Sequence, residues 1–161
     1  MAFIKFLSCL AFLTFVACYK PIQMHQQLCA LDFHDCGSTA GALKSVSFNG
    51  TCNGGKAILL KGTTVSIDFS FSANADELEL TSKVYGKIGE LPFVKFPLDN
   101  PNACVSSGLT CPIKASVAQD YQPTLTILKA YPSVNVIVKW ELQNKAGQDV
   151  FCALIPATIT S

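Results

Sequence analysis

The dominant period of hydrophobic and polar positions along this chain is two. Over residues 64–71 every second side chain is apolar, and the positions between them are threonine, serine or aspartate. The four apolar residues on the shared face are Val65, Ile67, Phe69 and Phe71. Residues 134–142 repeat the pattern, with Trp140 near the end of the apolar face. This alternation predicts two half-buried β-strands.

Shorter apolar runs predict further strands, and turn residues separate them. These runs cover residues 44–49, 57–61, 78–86, 124–128 and 150–159. In the third run we expect Leu78, Leu80 and Val84 to point inward. Asparagine, glycine and aspartate clusters, and a proline-rich stretch over residues 92–101, mark the turns. Helical periodicity is absent, so the pattern predicts an all-β domain, either an antiparallel sandwich or a closed barrel.

The first residues are typical of a secretory signal. Lys5 precedes an apolar run over residues 6–17, which is too short to span a bilayer. We therefore predict a signal peptide over residues 1–18, an N-terminal extension over 19–34 and one domain over 35–161. Cleavage after Ala17 is an alternative, and so is a bacterial lipoprotein acylated on Cys18.

Charge and composition narrow the class of ligand. The chain has 12 basic and 11 acidic residues, and loss of Lys5 with the leader balances them. The remaining lysines are scattered, so nucleic acid is an unsuitable partner. Half of the residues are hydrophobic and only 14% are charged, which is more apolar material than a compact core of this size requires. This surplus suggests an apolar cavity.

Several short motifs follow one another in a fixed order from residue 35 to the C-terminus. They are Asp35-Cys36-Gly37-Ser38, Cys104 with Cys111-Pro112-Ile113, Tyr131-Pro132-Ser133-Val134, Trp140-Glu141-Leu142, and Phe151-Cys152 followed by Ile155-Pro156. The ordered set resembles the Niemann-Pick C type 2 branch of the ML lipid-recognition family. This resemblance implies an immunoglobulin-like β-sandwich of two antiparallel sheets, with a hydrophobic cavity between them that admits a lipid.

The resemblance also implies disulfide pairs, which the spacing of the six cysteines after the leader does not determine by itself. It pairs Cys36 with Cys152 and Cys104 with Cys111. In a third family disulfide Cys52 matches the first cysteine, but Ala57 occupies the second position. Cys29 and Cys52 are therefore expected to join each other, with pairing between molecules as the alternative.

The ligand-binding residues are carried over by position. The resemblance places Phe96-Pro97, Ile127 and Tyr131-Pro132 at the ligand, where proline stiffens the loops and tyrosine keeps its hydroxyl in water. We add the strand residues Val65, Ile67, Phe69 and Phe71, for which core packing is the alternative that composition favours. Lys95 is either a partner for a carboxylate head group or a solvated loop lysine.

Catalysis is disfavoured by the residues available. His25 and His34 lie before or at the start of the domain, and no Gly-x-Ser-x-Gly motif presents a serine. His34, Asp35 and Cys36 are consecutive, so a strand would point them to opposite faces, which argues against a metal site. We expect no enzyme activity, no metal and no cofactor. A lipid-dependent recognition module, in immune or chemosensory signalling and of co-receptor or allergen type, is the alternative function.

The expected partner is a small hydrophobic ligand, either a sterol, a fatty acid or a semiochemical. We expect a monomer that makes transient contact with a membrane or an acceptor protein, in the extracellular fluid or the lysosomal lumen. Asn49-Gly50-Thr51 is an N-glycosylation sequon, and Asn49 is expected to carry a glycan. An unmodified hairpin turn is the alternative at that position.

Overall fold

A computed structural model describes residues 28–161, and these residues form two β-sheets packed face to face. The predicted signal peptide and most of the predicted extension lie outside the described residues. All regular structure from residue 28 onward is strand, and no helix in this part of the chain is long and apolar enough to cross a membrane. The two sheets remain separate, so the sandwich prediction is confirmed and the closed barrel was wrong.

The first sheet has five strands, with β6 in its interior. It contains β1 (Cys29–Ala30), β3 (Gly41–Phe48), β6 (Thr63–Ala73), β9 (Gln119–Tyr121) and β10 (Thr124–Ile127). One edge of β6 pairs with β3, while β9 and β10 pair with the other, all antiparallel. The strong alternation over residues 64–71 thus becomes the longest strand of this sheet.

The second sheet has seven strands and carries most of the motifs. It contains β2 (His34–Asp35), β4 (Cys52–Asn53), β5 (Lys56–Leu60), β7 (Leu80–Lys87), β8 (Val94–Phe96), β11 (Val134–Asn144) and β12 (Asp149–Thr160). The path across the sheet is β4-β5-β12-β11-β7-β8, and β2 adds to β12. Only β5 and β12 run parallel.

The core between the sheets centres on aromatic rings from both. Phe69 of β6 lies 5.1 Å from Trp140 of β11 and 5.0 Å from Phe151 of β12, measured between ring centroids. All three side chains are fully buried. Ring pairs at such distances stabilise a core beyond their buried area, by about 0.5–1.5 kcal/mol each. This cluster fills the interior between β6 of the first sheet and the strands β11 and β12 of the second.

Three disulfides connect the sandwich, in the pairs that were expected. Cys36 joins Cys152, and Cys104 joins Cys111 across a short loop. Cys29 joins Cys52, which attaches β1 of the first sheet to β4 of the second. The predicted domain boundary at residue 35 stays a prediction, but β1 before it already pairs with β3.

Two details of the strand prediction were wrong. Leu78 is 69% exposed rather than inward, because β7 begins at Leu80 and the preceding backbone at Glu77 is bridged to Ile113. The proline-rich stretch, predicted as turns, contains strand β8, whose three residues include no proline and which pairs with β7 at the edge of the sheet.

Candidate functional site

Two aromatic side chains meet where the sheets open. Phe96 ends β8, and Tyr131 lies in the loop that leads into β11. Their ring centroids are 5.3 Å apart and their planes are tilted by 58°. The backbone N–H of Tyr131 donates to the carbonyl of Leu128 at 3.2 Å, which holds this loop in a turn. The pair is therefore positioned by an edge strand and a closed turn.

The Phe96–Tyr131 pair borders a cavity of about 330 Å³, which we call the mouth cavity. Its walls are almost entirely apolar, and of the described residues that line it only Lys95 carries a charge. The lining residues are Gly86, Ile88, Leu91, Pro92, Val94, Lys95, Phe96, Pro97, Tyr131, Pro132, Val136 and Ile159. Such a surface can hold a hydrophobic ligand but offers few polar groups to it.

A smaller void of about 30 Å³ lies deeper between the sheets. This inner void is lined by Val84, Leu125, Ile127 and Val138, among other apolar residues. Gly86, Phe96, Val136 and Ile159 form walls of both spaces. The Phe96 ring is the large side chain in this shared wall, so a change in its rotamer would alter the connection between the two.

The structure brings together five of the nine predicted ligand residues. Phe96, Pro97, Tyr131 and Pro132 line the mouth cavity, and Ile127 lines the inner void. The other four lie on β6 and line neither space; they are Val65, Ile67, Phe69 and Phe71. Phe69 and Phe71 pack instead against Phe151. A ligand-binding role for these four stays a prediction.

Sequence reasoning missed several residues of the cavity walls. Val136 and Ile159 belong to long alternating strands, and their inward position was visible. Their proximity to the mouth depends on how β11, β12 and β7 align, which no local signal shows. Ile88, Leu91 and Val94 lie between the end of β7 and Phe96, in or beside the proline-rich stretch that was predicted as turns.

The electrostatic environment of the mouth is nearly neutral. Partial burial raises the pKa of the Tyr131 phenol, which therefore stays protonated at physiological pH. Lys95 forms no ion pair within residues 28–161, although it lines the wall beside Phe96. Both observations are compatible with a ligand that is largely apolar and carries a polar end in water.

One cluster in the described chain has the spacing of metal ligands, but its atoms have other partners. It comprises Glu141, Asp149 and Cys152. The Cys152 sulfur is bonded to Cys36, and the Lys139 ammonium lies 2.6 Å from the Glu141 carboxylate. The Gln143 amide donates to Asp149 at 2.9 Å. Because each of the three side chains already has a partner within the protein, we interpret the cluster as a set of structural polar contacts.

The two histidines considered in the sequence analysis do not belong to this cluster. His34 is exposed on the short strand β2, and His25 lies outside the described residues.

Comparison with known protein families agrees with this geometry. The family model for the ML domain matches residues 30–159, which is nearly the whole described chain. The chain belongs to the ML-domain family. The segment that matches the family model begins five residues before the predicted domain boundary at residue 35. It includes both Cys36 and Cys152, which form a disulfide.

Curated relatives place the chain near one branch of ML-domain proteins. It is 44% identical over 134 residues to NPC intracellular cholesterol transporter 2 homolog a of Drosophila melanogaster, covering 81% of this chain and 88% of that protein. It is also 44% identical over 128 residues to the Ecdysteroid-regulated 16 kDa protein of Manduca sexta, covering 79% and 87%. NPC intracellular cholesterol transporter 2 of Mus musculus is 33% identical over 131 residues, covering 81% and 86%.

A solved structure has the same fold. The crystal structure of a Niemann-Pick type C2 protein from the Japanese carpenter ant superposes with a TM-score of 0.74 at 27% sequence identity. The superposition covers 81% of this chain and all of the ant chain. The resemblance inferred from the ordered motifs is therefore confirmed.

Proposed function

We propose that this protein binds a small hydrophobic lipid, a sterol, a fatty acid or a semiochemical, between its two sheets and transfers it. The observation that carries the proposal is the apolar mouth cavity bordered by Phe96 and Tyr131. Relatives whose names describe cholesterol transporters support the same class of ligand. Binding and release require no catalytic group.

The volume of the mouth cavity limits the size of the lipid that can bind without a movement of the cavity walls. About 330 Å³ is at the lower end of the range for small-molecule pockets, which is roughly 300–1,000 Å³. The mouth cavity by itself thus suits a small ligand, and a larger lipid would also use the space of the inner void. Displacing the Phe96 side chain would join the mouth cavity to the inner void, because Phe96 is a wall of both. Ligand entry is thus expected to move Phe96 and to separate the sheets locally.

The expected affinity is moderate, as a carrier requires. A lipid of about 20–30 heavy atoms, at roughly 0.3 kcal/mol per atom, binds with a free energy of about −6 to −9 kcal/mol. This corresponds to a dissociation constant in the micromolar range or somewhat below. Such binding allows release to an acceptor.

Exposed apolar side chains around the mouth support a docking step during transfer. Leu91 and Val94 line the cavity and are 63% and 66% exposed. A cluster of this kind beside a ligand site is suited to transient contact with a membrane or an acceptor protein.

We further propose that the protein works as a monomer in the extracellular fluid or the lysosomal lumen. The three disulfides support an oxidising compartment, and exposed Asn49 is the proposed glycan site.

The test is titration of the purified protein with a fluorescent sterol and a fluorescent fatty acid. Phe96→Ala and Tyr131→Ala should each weaken uptake by about tenfold, equivalent to about 1.4 kcal/mol of lost contact. Phe93→Ala is the matched control, because Phe93 lies on the outer face near Lys139 and does not line the mouth cavity. Circular dichroism would show that all three variants fold. Uptake that neither mouth variant changes would contradict the site.

A further inference from the structure

Three buried polar side chains meet inside the sandwich, and the lipid site described above does not use them. Ser82 of β7 is 3% exposed, Tyr121 of β9 is 1% exposed and Trp140 of β11 is fully buried. The Trp140 indole Nε1–H donates to Ser82 Oγ at 3.3 Å. Ser82 Oγ and the Tyr121 hydroxyl are 2.6 Å apart. We call this group the polar trio.

Counting hydrogens shows that the polar trio has one donor more than it uses. Trp140 contributes one N–H, and Ser82 and Tyr121 contribute one O–H each. The two hydrogen bonds of the trio consume the indole N–H and one of the hydroxyl hydrogens. The other hydroxyl hydrogen has no acceptor among residues 28–161. A buried donor without an acceptor costs free energy, so a ligand atom that accepts it would be favoured.

The polar trio lies directly beyond the inner void. Side chains two residues apart on a strand share a face, so Ser82 follows Val84 and Trp140 follows Val138 along the inward faces of β7 and β11. Val84 and Val138 line the inner void. The trio is therefore the next layer that a ligand meets when it extends inward from the mouth.

Ser82 also lines a second opening, a groove of about 600 Å³ along the edge of β7. The groove exists because the chain leaves the sheet after Phe96 and returns at Pro101, whose carbonyl accepts from the Ser82 N–H at 2.8 Å. Phe96 and Val84 border both the groove and the inner void. Ser82 is thus the member of the polar trio that borders an opening next to Phe96.

We infer that Ser82, Tyr121 and Trp140 form a polar subsite that accepts an oxygen atom carried on the buried end of an amphipathic lipid. The inference rests on the proposed function. It deepens that function by naming a class of ligand, namely lipids with a neutral hydroxyl or keto oxygen at the end remote from the mouth. Side-chain-hydroxylated sterols and ω-hydroxy fatty acids have this chemistry.

The charge state of the subsite favours a neutral oxygen over a carboxylate. Burial raises the pKa of Tyr121 to about 12, so the phenol remains an uncharged donor at physiological pH. Neither a lysine nor a histidine belongs to the trio. A buried carboxylate would lose its hydration and regain one hydrogen bond, which is an unfavourable exchange. A hydroxyl or keto oxygen loses far less hydration free energy than a carboxylate when it is buried.

The experiment compares two lipid pairs that differ by one oxygen: a fatty acid with its ω-hydroxy derivative, and a sterol with its side-chain-hydroxylated derivative. The protein as purified should bind the oxygenated member of at least one pair about two- to tenfold more tightly. Tyr121→Phe and Ser82→Ala should remove this preference and leave affinity for the parent lipid within about twofold. Ser47→Ala, on the outer face of β3, should keep it.

Tryptophan emission gives a readout that does not depend on the variants. Trp140 is the single tryptophan of the chain, so its fluorescence reports the trio directly. The oxygenated lipid should shift this emission more than the parent lipid does. Equal affinity within both pairs in the native protein, or a preference that survives both substitutions, would overturn the inference. Failure of all four lipids to bind would overturn the proposed function and the inference with it.

Discussion

At the scale of single residues, Asp35 and Ser38 connect the start of the domain to its last strand. The Asp35 carboxylate accepts from Ser38 Oγ at 2.5 Å and from the Gly37 and Ser38 backbone N–H groups at 2.8 and 3.0 Å. Ser38 Oγ in turn accepts from the Cys152 N–H at 3.0 Å. Gly37 has a φ of 126°, in the region that favours glycine. The Asp-Cys-Gly-Ser motif thus forms a hydrogen-bonded turn beside the Cys36–Cys152 disulfide.

These hydrogen bonds predict a dependence of stability on pH. The Ser38 hydroxyl, followed by the backbone N–H groups, lowers the pKa of Asp35. Because the folded pKa lies below the unfolded one, the stabilisation is complete above about pH 4 and is lost as pH falls through the folded pKa. Asp35→Asn should flatten the acid limb of a plot of unfolding free energy against pH. An unchanged acid limb in Asp35→Asn would contradict this role.

At the scale of elements, the start of β7 shows how neighbouring strands override a local pattern. Leu78 and Leu80 are two residues apart and would share a face if the strand were continuous. The Glu77 backbone instead exchanges hydrogen bonds with Ile113, and Asn144 Nδ2 donates to the Glu77 carboxylate at 3.0 Å. The chain therefore turns before Leu80, and Leu78 points to solvent. Pairing with a segment that is distant in sequence therefore determines where β7 begins.

This difference can be tested with a matched pair of substitutions. Leu80→Ala removes a side chain that is 1% exposed and should lower the free energy of unfolding by about 2–5 kcal/mol. Leu78→Ala removes one that is 69% exposed and should change it by less than about 0.5 kcal/mol. Urea denaturation would measure both. Similar losses in the two variants would show that Leu78 is buried in solution.

At the scale of the whole molecule, the three disulfides close loops of very different length, of which Cys36–Cys152 is the longest and Cys104–Cys111 the shortest. Cys36 and Cys152 are 116 residues apart in sequence and join β2 and its neighbouring turn to β12. Cys104 and Cys111 are seven residues apart and close a surface loop. Since a cross-link restricts the unfolded chain more when its loop is longer, the two bonds should contribute unequally.

Removing each disulfide by paired alanine substitution measures this inequality. In the chain-entropy model, loss of Cys36–Cys152 costs about 5 kcal/mol of stability and loss of Cys104–Cys111 about 2.5 kcal/mol. The measurement is the free energy of unfolding in urea for each double variant, and the short loop serves as the control for the long one. A larger loss at the short loop would contradict the entropic account.

How much could be predicted from the sequence depended on whether a feature was local. The alternation over residues 64–71 and 134–142 predicted β6 and β11 to within a few residues, because side-chain direction along a strand is a local property. The short strands β1, β2, β4, β8 and β9 were missed, since a run of two or three residues shows no period and forms a strand only by pairing with a neighbour. The mouth residues came from the family resemblance.

The sequence by itself determined an all-β chain with two alternating strands, a resemblance to one family and, through that resemblance, the residues Phe96, Pro97, Tyr131 and Pro132 that line the mouth cavity. The tertiary structure alone decided which buried residues face a cavity. Phe69 and Phe96 are both phenylalanines on strands, yet one packs against Trp140 and the other borders the mouth. The polar trio likewise joins three strands whose residues are far apart in the chain. Cavities and buried networks arise from the alignment of distant segments, and no local pattern encodes that alignment.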